Sequence, residues 1–132
     1  MAAASNYLEN ALLNLVLRGV AYTSPTDLYV ALYTTDPTDA DSGTEVSGGS
    51  YARVKVLFNA PVDIGGEAVC ANTATIEFPE ATNSWGTVTH IGIRDSLTVG
   101  NLLYHGVLQT PKSIDAGDVF RFLAGDIKIG MN

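Results

Sequence analysis

The acidic segment after the first long apolar run contains the side chains best suited to chemistry. Four carboxylates fall within ten residues of "TTDPTDADSGTEV", namely Asp36, Asp39, Asp41 and Glu45. Calcium sites take oxygen ligands at alternate positions with a glycine at a sharp turn, which makes Asp39, Asp41 and Glu45 candidate calcium ligands. The position of Gly43 does not fit an EF-hand loop. Because Asp, Ser, Thr, Gly and Pro also build exposed turns, we favour a surface loop and expect no metal or cofactor there.

Two further groupings bear on metal binding and catalysis. His90 and His105 each lie in a candidate strand, but a zinc site needs more ligands than these and Cys70 supply. We therefore expect half-buried structural histidines. Glu77 and Glu80 form a carboxylate pair of the kind that hydrolyses glycosidic bonds, but the aromatic residues that would hold sugar rings are few. Neither a Gly-x-Ser-x-Gly elbow nor a phosphate-binding glycine loop is present. We predict no catalytic residues and no enzymatic activity.

The composition limits the size of the fold and the classes of partner. With 132 residues, 46% of them hydrophobic, the chain is expected to be one folded domain over residues 1–132. Its 14 acidic and 7 basic residues give a net charge of -7, and the basic residues are scattered. Because nucleic acids and anionic membranes attract clustered Lys and Arg, we expect neither as a partner. A single cysteine excludes an internal disulfide and favours folding in a reducing cytoplasm. The N-terminal segment has no basic residue before Arg18, unlike a signal peptide.

Hydrophobic spacing predicts one helix followed by strands. An apolar stripe at helical spacing marks residues about 6–18 as an amphipathic helix. The stripe consists of Leu8, Ala11, Leu12, Leu15 and Val16. Asn6 is the expected N-cap and Gly19 the C-terminal stop. From about residue 27 to 130 the apolar period is two, which predicts a β-domain. We predict a mainly β fold, an antiparallel sandwich or barrel of about seven to eight short strands, with one N-terminal amphipathic helix.

Turn-rich pieces are expected to separate the strands. "DIGGE" and "SIDAGD" are two of them, and Cys70 is expected to lie in a loop. The strand from Leu28 to Tyr33 is apolar on both faces, so we expect the helix or a neighbouring chain to cover its second face.

Apolar and aromatic side chains provide the candidate interface. We favour core packing for Trp85, with an interface anchor as the alternative, since Trp and Tyr are enriched where protein surfaces meet. The candidate interface residues are Leu8, Leu12, Leu15, Tyr29, Tyr33 and Trp85.

Four stretches of the chain, taken together, indicate a family. They are "SNYLENALLNLVLRG", "LYVALYTTDPTDADSGTEVSGGSYARV", "ATIEFPEATNSWGTVTHIGIRDS" and "NLLYHGVLQTPKSIDAGDVFRF". The sequence resembles a family of small tailed-bacteriophage structural proteins that are commonly labelled phage tail fibre protein. The resemblance extends from about Ser5 to Phe122 and brings no catalytic residues with it.

This resemblance implies a non-enzymatic virion component that is synthesised in the host cytoplasm. It is expected to bind other virion proteins, of capsid or tail, and to self-associate, with a trimer favoured. Because the chain has neither shaft repeats nor heptads, we favour a capsid decoration (cement) subunit slightly over a small tail-fibre-type subunit. The alternative is a receptor- or carbohydrate-binding module of the tail that uses the acidic loop, with calcium, and Trp85.

Overall fold

The computed structural model describes residues 2–131, which form one helix and ten strands. Helix α1 spans Asn6–Arg18. The strands are β1 (Ala3–Ala4), β2 (Leu28–Tyr33), β3 (Val54–Val56), β4 (Val62–Ile64), β5 (Glu67–Ala71), β6 (Ile76–Glu77), β7 (Gly86–Arg94), β8 (Leu102–Ile114), β9 (Arg121–Phe122) and β10 (Lys128–Met131). All pairs are antiparallel. The prediction of a mainly β, antiparallel fold with an N-terminal helix over residues 6–18 is confirmed.

Helix α1 is fixed at its start by Ser5. The Ser5 hydroxyl accepts a hydrogen bond from the Leu8 backbone N–H at 3.2 Å and donates to the Leu102 carbonyl in β8 at 2.5 Å. Ser5 keeps an extended backbone and is the N-cap, so the prediction of Asn6 as the cap is wrong by one residue. Gly19 ends the helix in the left-handed conformation, with φ of 67°, as predicted. Across residues 2–131, no helix has the length and apolar character needed to cross a membrane.

The larger sheet has five strands in the order β1-β8-β7-β2-β3. Strand β2 lies next to β7 in this sheet and is buried on both faces. Val30 and Leu32 point into the main hydrophobic core, whereas Ala31 and Tyr33 join a smaller cluster with Leu102. Ala31 and Tyr33 are at most 1% exposed. The second apolar face of β2 is therefore covered within the chain itself, without a neighbouring copy.

An aromatic cluster stands at the centre of the main core. The Trp85 ring meets the edge of Tyr51 with centroids 5.4 Å apart, and Tyr51 stacks on Phe78 at 6.2 Å. Trp85 is 5% exposed, and its Nε1–H donates to the Gly49 carbonyl at 2.9 Å. Trp85 thus connects the Gly49 turn to the core through packing and one hydrogen bond.

A three-stranded sheet in the order β10-β5-β4 and a two-stranded sheet of β6 and β9 complete the fold. Strands β4 and β5 form a hairpin whose two-residue turn, Gly65–Gly66, has positive φ at both positions, 61° and 86°. The turn predicted at "DIGGE" is therefore correct at its glycines. The prediction that Cys70 lies in a loop is wrong, because Cys70 pairs with Ile129 in the sheet. The strand signal was missed because the flanking segments are short.

Strand β8 is longer than the sequence pattern indicated. The sequence predicted a strand that ends at Thr110 and a turn over residues 113–118, but β8 continues through Pro111 and the turn begins only after Ile114. The register against β7 shifts between Val88 and His90, which leaves residues 108–111 in a bulge. A bulge tolerates a proline that cannot donate to the ladder. The structure has ten strands instead of seven to eight, partly because three of them are only two residues long.

Candidate functional site

Three carboxylates attach the acidic loop to the rest of the fold, and each contacts a different basic side chain. His105 Nε2 lies 2.7 Å from an Asp39 oxygen. Asp41 pairs with Arg94, and Glu45 pairs with Arg53, each at 2.8 Å. Because each of these three carboxylates is already paired with a basic side chain, they stabilise the loop and are not free to coordinate one metal ion together. We call residues 34–46, with these three attachments, the fastened loop.

Arg94 makes the most extensive set of these contacts. Its guanidinium binds both Asp41 oxygens, at 2.8 and 2.9 Å, and donates to the Tyr33 hydroxyl and the Gly100 carbonyl. Burial by itself would lower the pKa of Arg94, but the hydrogen bonds to Asp41 and Tyr33 outweigh it, and the pKa is raised. Arg94 therefore stays charged and joins the fastened loop to β2 and to the turn after β7.

Glu45 is held by a second buried arginine. Both its oxygens accept from Arg53 at 2.8 Å, and one also accepts from the Tyr51 hydroxyl at 2.6 Å. Burial would raise the pKa of Glu45, but the hydrogen bonds from Arg53 and Tyr51 outweigh it and hold the pKa below its ordinary value. Burial and the hydrogen bond to Glu45 raise the pKa of Tyr51. The cluster thus keeps one ionised carboxylate, one cation and one neutral phenol.

The lowered pKa of Glu45 makes a testable contribution to acid stability. A depressed carboxyl pKa contributes stability above the unfolded value, ordinarily 4.5, and loses it as the pH falls through the folded value. Glu45→Gln should cost about 2 kcal/mol of unfolding free energy at pH 7, since it removes charge-assisted hydrogen bonds. The difference from the wild type should shrink as the pH falls below 4.5. Urea unfolding at several pH values measures this, with the exposed Glu80→Gln as the control. A difference that stays constant with pH would contradict it.

The two histidines lie beside the fastened loop. His90 Nε2 and His105 Nδ1 are 3.9 and 4.0 Å from one oxygen of Asp36, while the Thr89 hydroxyl is 2.8 Å from His90 Nδ1. Both histidines are half-buried. Among residues 2–131, no group of three or more His, Cys, Asp or Glu side chains is arranged to hold a metal ion. The geometry gives the calcium alternative for Asp39, Asp41 and Glu45 no support.

The carboxylate pair considered for hydrolysis lies at the surface. Glu77 and Glu80 line a surface depression of about 710 Å³ that also involves Tyr29. Glu77 Oε1 forms a salt bridge with Arg121 Nη2 at 3.1 Å, and both side chains are more than half exposed. An exposed, salt-bridged carboxylate lacks the enclosed, apolar surroundings of a catalytic acid.

The candidate interface residues separate into two groups. Leu8, Tyr33 and Trp85 are between 1% and 5% exposed, so they offer almost no surface to a partner. Leu12 and Tyr29 are half-buried, and Leu15 is 40% exposed. Only this second group can contribute to an interface without rearrangement.

The sequence analysis missed a second apolar stripe on α1. Val16, which was assigned to the inner stripe, is 75% exposed, and Leu17 is 74% exposed. With Leu13 they follow the spacing i, i+3, i+4, which places three exposed apolar side chains on one helix face, and the exposed Val20 follows directly after the Gly19 cap. We call Leu13, Val16 and Leu17 the outer helix face. This spacing was visible in the sequence. It was overlooked because the stripe through Leu8, Leu12 and Leu15, together with the caps, was sufficient to predict the helix.

These features define a class of protein, namely a small β-rich structural subunit. Its carboxylates stabilise the fold, and its exposed apolar helix face is available to a partner. A family model described as Podophage GP4 fiber I protein gp80 matches residues 3–130, and the chain belongs to this family. It is a phage fibre-type structural protein and a virion component, and the family resemblance stated from the sequence is confirmed. A search of curated proteins found no matching relative.

Proposed function

We propose that this chain is a non-enzymatic, self-associating subunit of a phage fibre and that its outer helix face docks on another virion protein. The observation that carries the proposal is that α1 buries only Leu8 of its thirteen residues, Asn6–Arg18, while most of its large apolar side chains stay exposed. Contiguous exposed apolar patches on soluble proteins mark interaction sites. The family match supports a fibre position in the virion.

The charge distribution supports a protein partner for this face. The outer helix face itself contains no charged residue, although the chain has a net charge of -7. An uncharged, aliphatic patch at i, i+3 and i+4 of the helix fits an apolar groove or another helix. It does not fit a nucleic acid or an anionic membrane, both of which select clustered basic residues. We take a trimer as the favoured form of self-association.

The number of copies per particle tests the position in the virion. Quantitative mass spectrometry of purified particles should find a few to a few dozen copies, as expected of a fibre. Hundreds of copies would place the subunit on the capsid as a decoration protein, and absence from the particle would overturn the proposal. The calcium-dependent receptor-binding alternative is not proposed, because each candidate ligand is already paired with a basic side chain.

A double substitution tests the role of the helix face. Val16→Asp with Leu17→Asp places two charges on an exposed surface, so the fold should lose only about 1 kcal/mol, the cost in helix propensity. Incorporation into particles should fall at least about tenfold, because an unpaired charge would be forced into an apolar contact. Particles grown with the variant supplied from a plasmid, in a host infected by phage that lacks the gene, measure this.

The matched control places the same charges on exposed leucines elsewhere. Leu57 and Leu97 are 64% and 52% exposed and lie outside α1. The variant with Leu57→Asp and Leu97→Asp should be incorporated like the wild type. Equal incorporation of both double variants would show that the helix face does not dock.

A further inference from the structure

The three-stranded sheet has two open edges. Strand β5 is in the middle, and among the described residues β4 and β10 each pair only with β5. Edge strands present unpaired backbone N–H and C=O groups, which natural proteins usually protect with charge, proline or a covering element. Pro61 directly precedes β4, but Val62 and Ile64 within the strand are 53% and 52% exposed. An aliphatic edge of this kind is a site for strand addition.

The β10 edge opens onto an apolar groove with basic residues around it. The groove has a volume of about 690 Å³ and lies between β8, β9 and β10. Its apolar lining includes Leu108, Phe120, Phe122, Ile127 and Ile129. Three of the seven basic residues of the chain, Lys112, Arg121 and Lys128, also line it together with one acidic residue, Asp126. Arg121 is paired with Glu77, so Lys112 and Lys128 supply the excess positive charge. In a chain with a net charge of -7, this groove is suited to an acidic, aliphatic strand.

Strand β4 has the pattern that such a groove requires. Its sequence places Asp63 between two exposed aliphatic residues, and Lys128 at the start of β10 lies between Ile127 and Ile129. In an antiparallel register with Asp63 opposite Lys128, Val62 falls opposite the half-buried Ile129. Ile64 falls opposite Ile127, whose side chain is 2% exposed and packs in the main core. Opposite charges and aliphatic pairs that face each other across strands each contribute favourably.

The backbone groups point in directions that permit this register. The residues that flank a two-residue hairpin turn form a hydrogen-bonded pair, so Ile64 points towards β5 and the peptide groups of Asp63 point outward. On the other edge, the Ile127 carbonyl accepts from the Asn72 N–H at 3.2 Å. Since alternate residues of a strand point to opposite sides, the peptide groups of Lys128 point outward. Asp63 and Lys128 can therefore exchange both backbone hydrogen bonds.

We infer that strand β4 of one copy adds to the β10 edge of the next copy, with Asp63 opposite Lys128, and that this head-to-tail contact builds the oligomer. In the single chain Asp63 accepts from the Gly66 N–H and Lys128 donates to the Gly125 carbonyl, so the two side chains exchange these exposed contacts for each other. A symmetric β4–β4 contact would set Asp63 against itself, which is unfavourable. A head-to-tail contact closes into a ring such as a trimer when the rotation between neighbouring copies permits closure. The inference rests on the self-association part of the proposed function.

Cysteine cross-linking tests the register directly. Asp63→Cys and Lys128→Cys are made in separate chains of different mass, each in a Cys70→Ala background, and mixed under mild oxidation. A hydrogen-bonded antiparallel pair has Cα atoms about 5.5 Å apart, which is within the range of a disulfide. The mixture should form mainly mixed dimers. The inference would be overturned if each variant formed dimers mainly with itself. It would also be overturned if mixed dimers were no more frequent than in a control mixture that contains Lys55→Cys, on the β3 edge.

Charge reversal supplies the energetic test. Asp63→Lys and Lys128→Asp should each weaken self-association about tenfold, and the chain with both changes should recover most of the loss. Lys55→Asp, on the exposed edge strand β3, is the matched control and should leave it unchanged. Analytical ultracentrifugation measures the dissociation constant, and circular dichroism confirms that each variant is folded.

The failures of the two proposals can be distinguished. If the dissociation constant of the oligomer is unchanged by both single charge reversals, self-association stands but the β4–β10 contact is wrong. A wild-type chain that stays monomeric at millimolar concentration rejects both the edge and self-association, while the copy count on particles still decides the fibre position.

Discussion

Arg94→Ala should lower the free energy of unfolding by about 3 kcal/mol. Removal of one partner from a buried ion pair costs about 3–5 kcal/mol, and we take the lower end because the Asp41 side chain is 38% exposed. The change also leaves the buried Tyr33 hydroxyl without its donor. In addition it frees the Gly100 carbonyl, so the turn after β7 loses a constraint. Urea denaturation at pH 7 measures the loss.

Arg94→Lys is the informative control. A lysine keeps the charge but cannot bind both Asp41 oxygens and the Tyr33 hydroxyl in one plane. We expect it to recover part of the stability, about half, if charge and fork geometry both matter. A lysine variant as stable as the wild type would show that charge alone holds the loop. An alanine variant within 1 kcal/mol of the wild type would contradict the bracing role of Arg94.

Trp85→Ala should have the largest effect, a loss of about 4 kcal/mol. Removing a buried tryptophan typically costs 3–5 kcal/mol through lost burial and the cavity that remains. Here the change also removes the edge-on contact to Tyr51 and the hydrogen bond to the Gly49 carbonyl. Because Tyr51 holds Glu45, the attachment of the fastened loop should weaken as well. Thermal and urea unfolding measure the effect.

Trp85→Phe separates packing from the hydrogen bond. Phenylalanine keeps an aromatic ring at this place but lacks the Nε1–H donor, so we expect a loss of about 2 kcal/mol. Equal losses for the two variants would show that the hydrogen bond to Gly49 dominates. A loss below 1 kcal/mol for alanine would mean that Trp85 is not part of a packed core.

The sequence predicted those parts of the fold that local patterns determine. The alternation in Leu28–Tyr33 and the helical stripe through Leu8 and Leu12 each encode one element, and both elements are present. The hairpin of β4 and β5 was missed because Val62–Ile64 is three residues long and its neighbour Glu67 looks like part of a turn. Strand pairs this short are stabilised by partners that are distant in sequence, such as β10.

The contacts of the acidic loop could be predicted less well than its position. Its composition indicated an exposed loop, and Asp39 and Asp41 are exposed. The attachments depend on Arg94 and His105, which are 53 and 66 residues away from their partners. Spacing within the loop contains no information about such distant partners. For the same reason Tyr33 was a candidate for an interface, although Arg94 and the loop cover it.

Proteases need a segment that can extend into their cleft, and exposed stretches rich in Gly, Ser, Thr and Asp are their usual targets. The segment between Thr34 and Val46 has that composition. However, the side chains of Asp39, Asp41 and Glu45 attach it to the rest of the fold, and at most three residues lie between successive attachment points. Cleavage would require at least one charged attachment to open first. We therefore expect this segment to resist limited proteolysis in the folded protein, despite its composition.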